Sequence, residues 1–216
     1  VIQDLNTNEV SRYWATELYG MSNPPFETGE DVALITYFAP AEVQSMLALN
    51  WSIDVSIIDL FAEFRCDTNG DPTVIRRGLV HALDYFGLTD LKPDEKDEMR
   101  SLILSGGPWT KKQRLAILDY CTQDVICLGP LIISMLQRSP WTDFRLNHAL
   151  IRGRYMKAVG SMQHLGIPID LDLLDQLNAN WDAIKLKLIE NVDAQYGVYV
   201  DGSFKEALFQ SYLARE

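Results

Sequence analysis

The sequence predicts an α/β chain, a mixed sheet flanked by helices and followed by a purely helical segment. Three observations point there. Short β-rich runs at Val1–Gln3, Val32–Tyr37 and Val55–Ile58 are each bounded by turn chemistry. From Leu79 onward the apolar residues recur with helical spacing for most of the chain. The 216 residues, 47% hydrophobic and 23% charged, are enough to bury one large domain or one domain plus an appendage.

Val1-Ile2-Gln3 reads as the end of a strand that begins abruptly, with Asp4 at or near its C-terminal end. Asp4 to Val10 is a polar turn, and Arg12-Tyr13-Trp14 belongs to a returning segment. An Asp in such a place is most simply a turn former. Residues 20–31 are loop by their Gly, Asn and Pro content. Val32–Tyr37 is a strand, and Pro40 suits the first position of the helix that follows. Val43, Met46, Leu47 and Trp51 form that helix's apolar face. Glu42 then lies in the first turn, close to the strand's C-terminal end, which is where open α/β sheets bind ligands. The helix dipole alone also favours an acid there.

Val55–Ile58 leads into a helical turn from Asp59, and residues 67–72 form a loop. That loop lacks the closing Glu of a calcium site. Helices are expected at about 75–87 and 93–105. The second is charge-rich, a solvated face in which Lys96 or Arg100 could also grip a phosphate. Thr110 and Gln113 make a capping box that starts one helix running to about Gln137. Ser139-Pro140 marks a boundary between residues 1–139 and 140–216. Beyond it lie helices at 142–164 and from the Asp170 cap to about 193, a β-like piece at Val198–Val200, and a last helix.

The helix from Thr110 carries the most informative pair. At roughly 100° per residue, Leu118, Cys121, Val125, Leu128 and Ile132 share a stripe, with Tyr120 and Asp124 at its edge. A phenol and a carboxylate one turn apart beside a buried face suit a cleft, although Tyr-x-x-x-Asp also arises by chance.

Composition narrows the function. A net charge of −11 argues against a generic nucleic-acid binder, since phosphates need a basic surface, but it leaves room for an enzyme that uses acids to hold cations. His81, His148 and His164 are widely separated and assemble neither a zinc site nor a catalytic triad. Phosphate-loop and dinucleotide glycine motifs are absent. Cys66, Cys121 and Cys127 lack metal spacing and read as reduced, packed thiols. No uninterrupted apolar run reaches the roughly 18 residues of a membrane span, and a soluble, cytoplasmic protein is expected.

Taken together, a strand ending in Asp4, a strand leading to Glu42 and a helix bearing Tyr120 and Asp124 resemble the RNase H-like 3′-to-5′ exonuclease domain of family A DNA polymerases. Residues 117–125 are similar to the third motif of its tyrosine branch. Phe38-Ala39-Pro40-Ala41-Glu42 resembles the second motif, with Phe38 in place of Asn and Glu42 in place of Asp. Asp4-Leu5-Asn6-Thr7 resembles the first, D-x-E-T, with Asn6 in place of Glu. Met162 to Asp170 resembles the passage that opens the polymerase portion of phage-type members.

The resemblance implies a fragment of a DNA-directed DNA polymerase, in the host cytoplasm if phage-encoded, that works with the remainder of the polymerase and trims single-stranded DNA 3′ ends to nucleoside monophosphates. It implies two ions, Mg²⁺ or Mn²⁺, bridged by Asp4 and held by Asp124, with Asn6 a weakened ligand, Glu42 supporting through water and Tyr120 orienting the attacking water. The other reading is an inert exonuclease-fold scaffold that supports the polymerase or its DNA.

Overall fold

The computed structural model describes residues 1–29, 31–88 and 93–215, and for 93–97 the backbone alone. In chain order the elements are β1 (Ile2–Gln3), β2 (Val10–Ser11), α1 (Ala15–Leu18), β3 (Ala33–Thr36), α2 (Pro40–Ala48), β4 (Ser56–Asp59), α3 (Leu60–Asp67) and α4 (Leu79–Tyr85). There follow α5 (Pro93–Leu104), α6 (Lys111–Ile126), α7 (Leu128–Arg138), α8 (Asp143–Leu165), α9 (Leu171–Tyr196), β5 (Tyr199–Val200), β6 (Ser203–Phe204) and α10 (Glu206–Leu213). The protein is α/β and predominantly helical. Among the described residues the strands form three separate two-stranded sheets in place of the one mixed sheet expected. Pairs β1–β2 and β5–β6 are antiparallel, and β3–β4 is parallel.

The chain divides into two compact units, Val1–Gly166 and Ile167–Glu216. A helix does end at Arg138, beside the Ser139-Pro140 break, but the next helix, α8, belongs to the first unit and packs along α2 and β4. The contact is close because α8 has glycines where it crosses. A Cβ on Gly153 would stand 1.9 Å from the Ile57 carbonyl oxygen, and one on Gly160 would stand 2.8 Å from Val43.

Apolar side chains collect on both sides of the parallel pair. Ala39, Val43, Met46, Trp51, Val55, Ile57 and Met156 form one buried cluster, and Ile58, Leu60, Phe64, Ala82, Leu83, Leu131 and Met135 the other. Alternation along β4 sends Ile57 and Ile58 to opposite clusters, as the two-residue period of a strand requires. Three of the four apolar residues expected on α2's face, Val43, Met46 and Trp51, are buried.

The single helix expected from 110 to 137 is two, α6 and α7, hinged at Cys127. Pro130 explains the break: it has no N–H to donate, and in an unbroken helix its ring would meet the carbonyl of Ile126. Averaged over a window, Lys111–Arg138 is apolar and long enough to cross a membrane by length and composition. Within it, Ile117, Leu131 and Met135 are buried by the first unit itself.

The second unit is α9 with a small hairpin and α10. Asp170 caps α9 by accepting from the Leu173 N–H at 2.9 Å. At the far end the Asp193 carboxylate accepts from the Val198 and Tyr199 N–H groups, and Tyr199, Phe204 and Phe209 stack in sequence over the hairpin.

Candidate functional site

The C-terminal ends of β3 and β4 build the most heavily polar spot in the interior. The parallel register puts Thr36 opposite Asp59; β4 passes directly into α3, and β3 reaches α2 through the short lead-in Tyr37-Phe38-Ala39. Asp59, 1% exposed, caps α3 by accepting from the N–H groups of Phe61 and Ala62 at 2.9 and 3.2 Å. It also reaches across to the lead-in of α2 and accepts from Phe38 at 3.2 Å and Ala39 at 2.8 Å. One carboxylate thereby ties two strand-to-helix turns together. Burial raises its pKa even so, and the N–H donors offset only part of that rise.

The lead-in is strained. Phe38 has φ +80°, in the left-handed region that bulky side chains avoid and Asn tolerates best among ordinary residues. Such a conformation costs on the order of 1–3 kcal/mol and persists when its surroundings over-determine it. Here the bond to Asp59 and the edge-on contact of the Phe38 and Phe61 rings, 5.5 Å between centroids, do so.

Glu42 stands in the first turn of α2, as the sequence indicates. Its Oε2 is buried and accepts no hydrogen bond from the described residues. Burial first, with some repulsion from Asp59, pushes its pKa up to about 7, while its own backbone N–H pulls the other way. A carboxyl of this kind exchanges its proton near neutrality and suits acid–base work. At the end of β3 the Thr36 hydroxyl is also buried, with no hydrogen-bond partner among the described residues. The neighbouring Tyr37 phenol donates to the Arg77 carbonyl at 2.6 Å, and burial together with Asp59 raises its pKa.

The second place of interest is the face of α6. Tyr120 is half-buried and hydrogen-bonded to Asp124, one turn on. Burial, then the Asp124 charge, raises the phenol's pKa, and Arg100 opposes the shift. Strand β1 packs on this helix. The amino terminus lies within electrostatic reach of Cys121, and Arg12, just past β2, pairs with Asp119 at 2.7 Å. β1, which ends one residue before Asp4, thus lies beside the helix that carries Tyr120 and Asp124, while the Asp4 turn itself meets α7, where a Cβ on Gly129 would stand 3.1 Å from Leu5. Asp4 itself is exposed, and its Oδ1 accepts from the N–H groups of Asn6 at 2.7 Å and Thr7 at 3.2 Å. Asn6 is exposed as well.

The predicted residues thus fall in two places: Asp4, Asn6, Tyr120, Asp124 and Arg100 around β1 and α6, and Glu42 at the strand ends, near Asp59. The side chain of Lys96 lies outside the described residues. Oxygen donors of this kind are chemically suited to Mg²⁺ or Mn²⁺. Among the described residues, however, no three His, Cys, Asp or Glu side chains are gathered closely enough to hold an ion. As placed, the acids do not fit a preformed two-ion centre.

No protein-family model, curated protein or solved structure matches this chain.

Two buried acids were not singled out by sequence reasoning. Asp59 is one. The other is Glu63, 0% exposed, whose two oxygens accept from Nε and Nη2 of Arg152 on α8 at 2.5 and 2.6 Å. A second pair, Arg145 with Asp67, joins the same two helices. Helical spacing placed Glu63 on the same face as Leu60 and Phe64 of α3, which was the available signal. Its partner lies 89 residues away, beyond the reach of any local pattern.

Proposed function

We propose that the chain is part of a phage-type DNA-directed DNA polymerase. In this reading residues 1–139 are an RNase H-like, tyrosine-branch 3′-to-5′ exonuclease domain, residues 140–216 open the polymerase region, and the substrate is the frayed 3′ end of DNA. The observation that carries it is the packing of β1, which ends one residue before Asp4, on α6, the helix bearing Tyr120 and Asp124 more than a hundred residues on in the chain. The positive φ of Phe38 supports it independently: the second motif that this stretch resembles has Asn at that position, and Asn is the residue such a conformation favours.

Activity in this reading depends on Mg²⁺ or Mn²⁺ and is weak, since Asn6 contributes an amide oxygen where the motif has a carboxylate. The test is shortening of 5′-labelled single-stranded DNA with either metal and with EDTA. Asn6→Glu is expected to increase metal-dependent shortening, and Asp124→Asn to abolish it. No shortening by Asn6→Glu, or activity that survives Asp124→Asn, would sink the nuclease reading.

One observation favours the inert scaffold instead: the Asp4 carboxylate is already engaged by its own turn. Calorimetric titration with Mn²⁺ separates the two readings. Binding that disappears in Asp4→Ala supports the weakened enzyme, and no binding by the wild-type chain supports the scaffold.

A further inference from the structure

The start of α6 carries a cluster that neither motif reading uses. Trp14 and Trp109 meet edge to face, 5.6 Å between ring centroids, and the Arg114 guanidinium lies 5.3 Å from the centre of the Trp14 ring. Both indoles are half-buried, and Arg114 is exposed. The Trp109 indole N–H donates to the Leu102 carbonyl at 3.1 Å, which holds that ring against the end of α5. Trp109 leads directly into the capped first turn of α6, where Lys111 and Lys112 are both exposed.

Cations in the first turn run against the helix dipole, which favours anions there. On a chain of net charge −11 this is a local reversal of sign. Charged groups near it among the described residues include Arg12, paired with Asp119, and Glu17, whose carboxylate accepts from the Trp14 backbone N–H at 2.6 Å. Lys111, Lys112 and Arg114 remain in excess over these, so the patch has positive charge to offer. Partly exposed aromatic rings beside exposed cations match the requirements of a single strand of nucleic acid: unstacked bases have a free π-face, and the phosphates between them need positive charge.

We propose that Trp14, Trp109 and Arg114 form a stacking platform for single-stranded DNA, with Lys111 and Lys112 holding its phosphates. The proposal rests on the polymerase reading above and gives that reading's substrate a landing place on α6, toward the N-terminal side of Tyr120 and Asp124. Trp14 follows the returning strand β2 and Trp109 precedes α6, so the platform is assembled by the same packing that brings β1 to that helix.

Fluorescence anisotropy of a labelled oligothymidylate of about fifteen nucleotides, titrated in EDTA so that no hydrolysis contributes, tests it. Trp109→Ala is expected to weaken binding about tenfold. Arg114→Gln, a change on an exposed side chain, should weaken it severalfold and lower the slope of log affinity against log salt by about one. Trp181→Ala, which removes an exposed tryptophan of the second unit, should leave binding unchanged. A duplex of the same length should bind at least about tenfold more weakly, because its bases are already stacked. Absence of binding, binding unaffected by Arg114→Gln, or equal affinity for duplex overturns the platform. A chain that binds the oligonucleotide through these residues yet never shortens it with Mg²⁺ keeps the platform and loses the nuclease.

Discussion

Two acidic regions of the first unit are built on opposite terms. At the ends of β3 and β4, Asp59 and Glu63 are 1% and 0% exposed and are held by backbone N–H groups and by a guanidinium. Around β1 and α6, Asp4 and Asp119 are exposed, and the bonds recorded for them are to their own turn and to a surface arginine. The first region cannot lose a partner cheaply, because the remaining group stays buried with its charge. In the second, water replaces whatever is removed. Inside, acids work as ties between elements; on the α6 side they stay in contact with water.

The largest break in that comparison is at the close crossing of α8. Gly153→Val would drive carbons into the Ile57 carbonyl and push the helix off β4, costing about 3 kcal/mol or more. Urea denaturation should show the loss, and a midpoint unchanged from wild type would mean that α8 does not lie so close.

Next is the ion pair beneath it. Arg152→Ala strands Glu63 in the core and should cost about 3 kcal/mol, toward the lower end of the range for broken buried pairs because the arginine side chain is 30% exposed. Urea denaturation of this variant at pH 7 gives the comparison with wild type.

Glu42 sharpens the contrast through pH. Its pKa is about 7 in the folded chain against an ordinary 4.5, so the folded state binds a proton more tightly than the unfolded chain does. Its effect on stability is therefore most favourable below pH 4.5 and is lost as pH rises toward 7, by up to about 3 kcal/mol. Glu42→Gln should remove that contribution, making the chain more stable than wild type at pH 8 and nearly equal to it at pH 5. Parallel stability–pH curves for the two proteins would refute the assigned burial of Glu42.

The smallest effect belongs to the surface. Asp119→Ala removes the partner of Arg12 but should shift stability by less than about 1 kcal/mol, and less again in 1 M salt, because both side chains are well hydrated. A loss comparable to that of Arg152→Ala would erase the distinction between the two regions.

How far the chain could be read in advance follows the same division. Interactions that close within about four residues were legible. The Thr110 box is present, with its hydroxyl accepting the Gln113 N–H and the Gln113 side chain accepting the Thr110 N–H. Pro40 opens α2, Asp170 caps α9, and β4 passes directly into α3. The helix expected to run from 110 to 137 was misjudged because apolar periodicity continues through Pro130 while backbone hydrogen bonding does not. Among the described residues the strands pair in three separate sheets, which was not legible because strand periodicity says nothing about which strand pairs with which.

By itself, then, the sequence determined where α2, α6 and α9 begin, that Glu42 stands in the first turn of α2, and that Tyr120 and Asp124 lie one turn apart on α6. Those features depend on torsional preference, capping and spacing, all of short range. Tertiary structure alone decided that Asp59 ties two turns, that Glu63 meets Arg152, that Glu42 titrates near neutrality, and that β1 lies along the Tyr120 helix. Each of these depends on burial and on partners far away in the chain, where desolvation and packing outweigh any local preference.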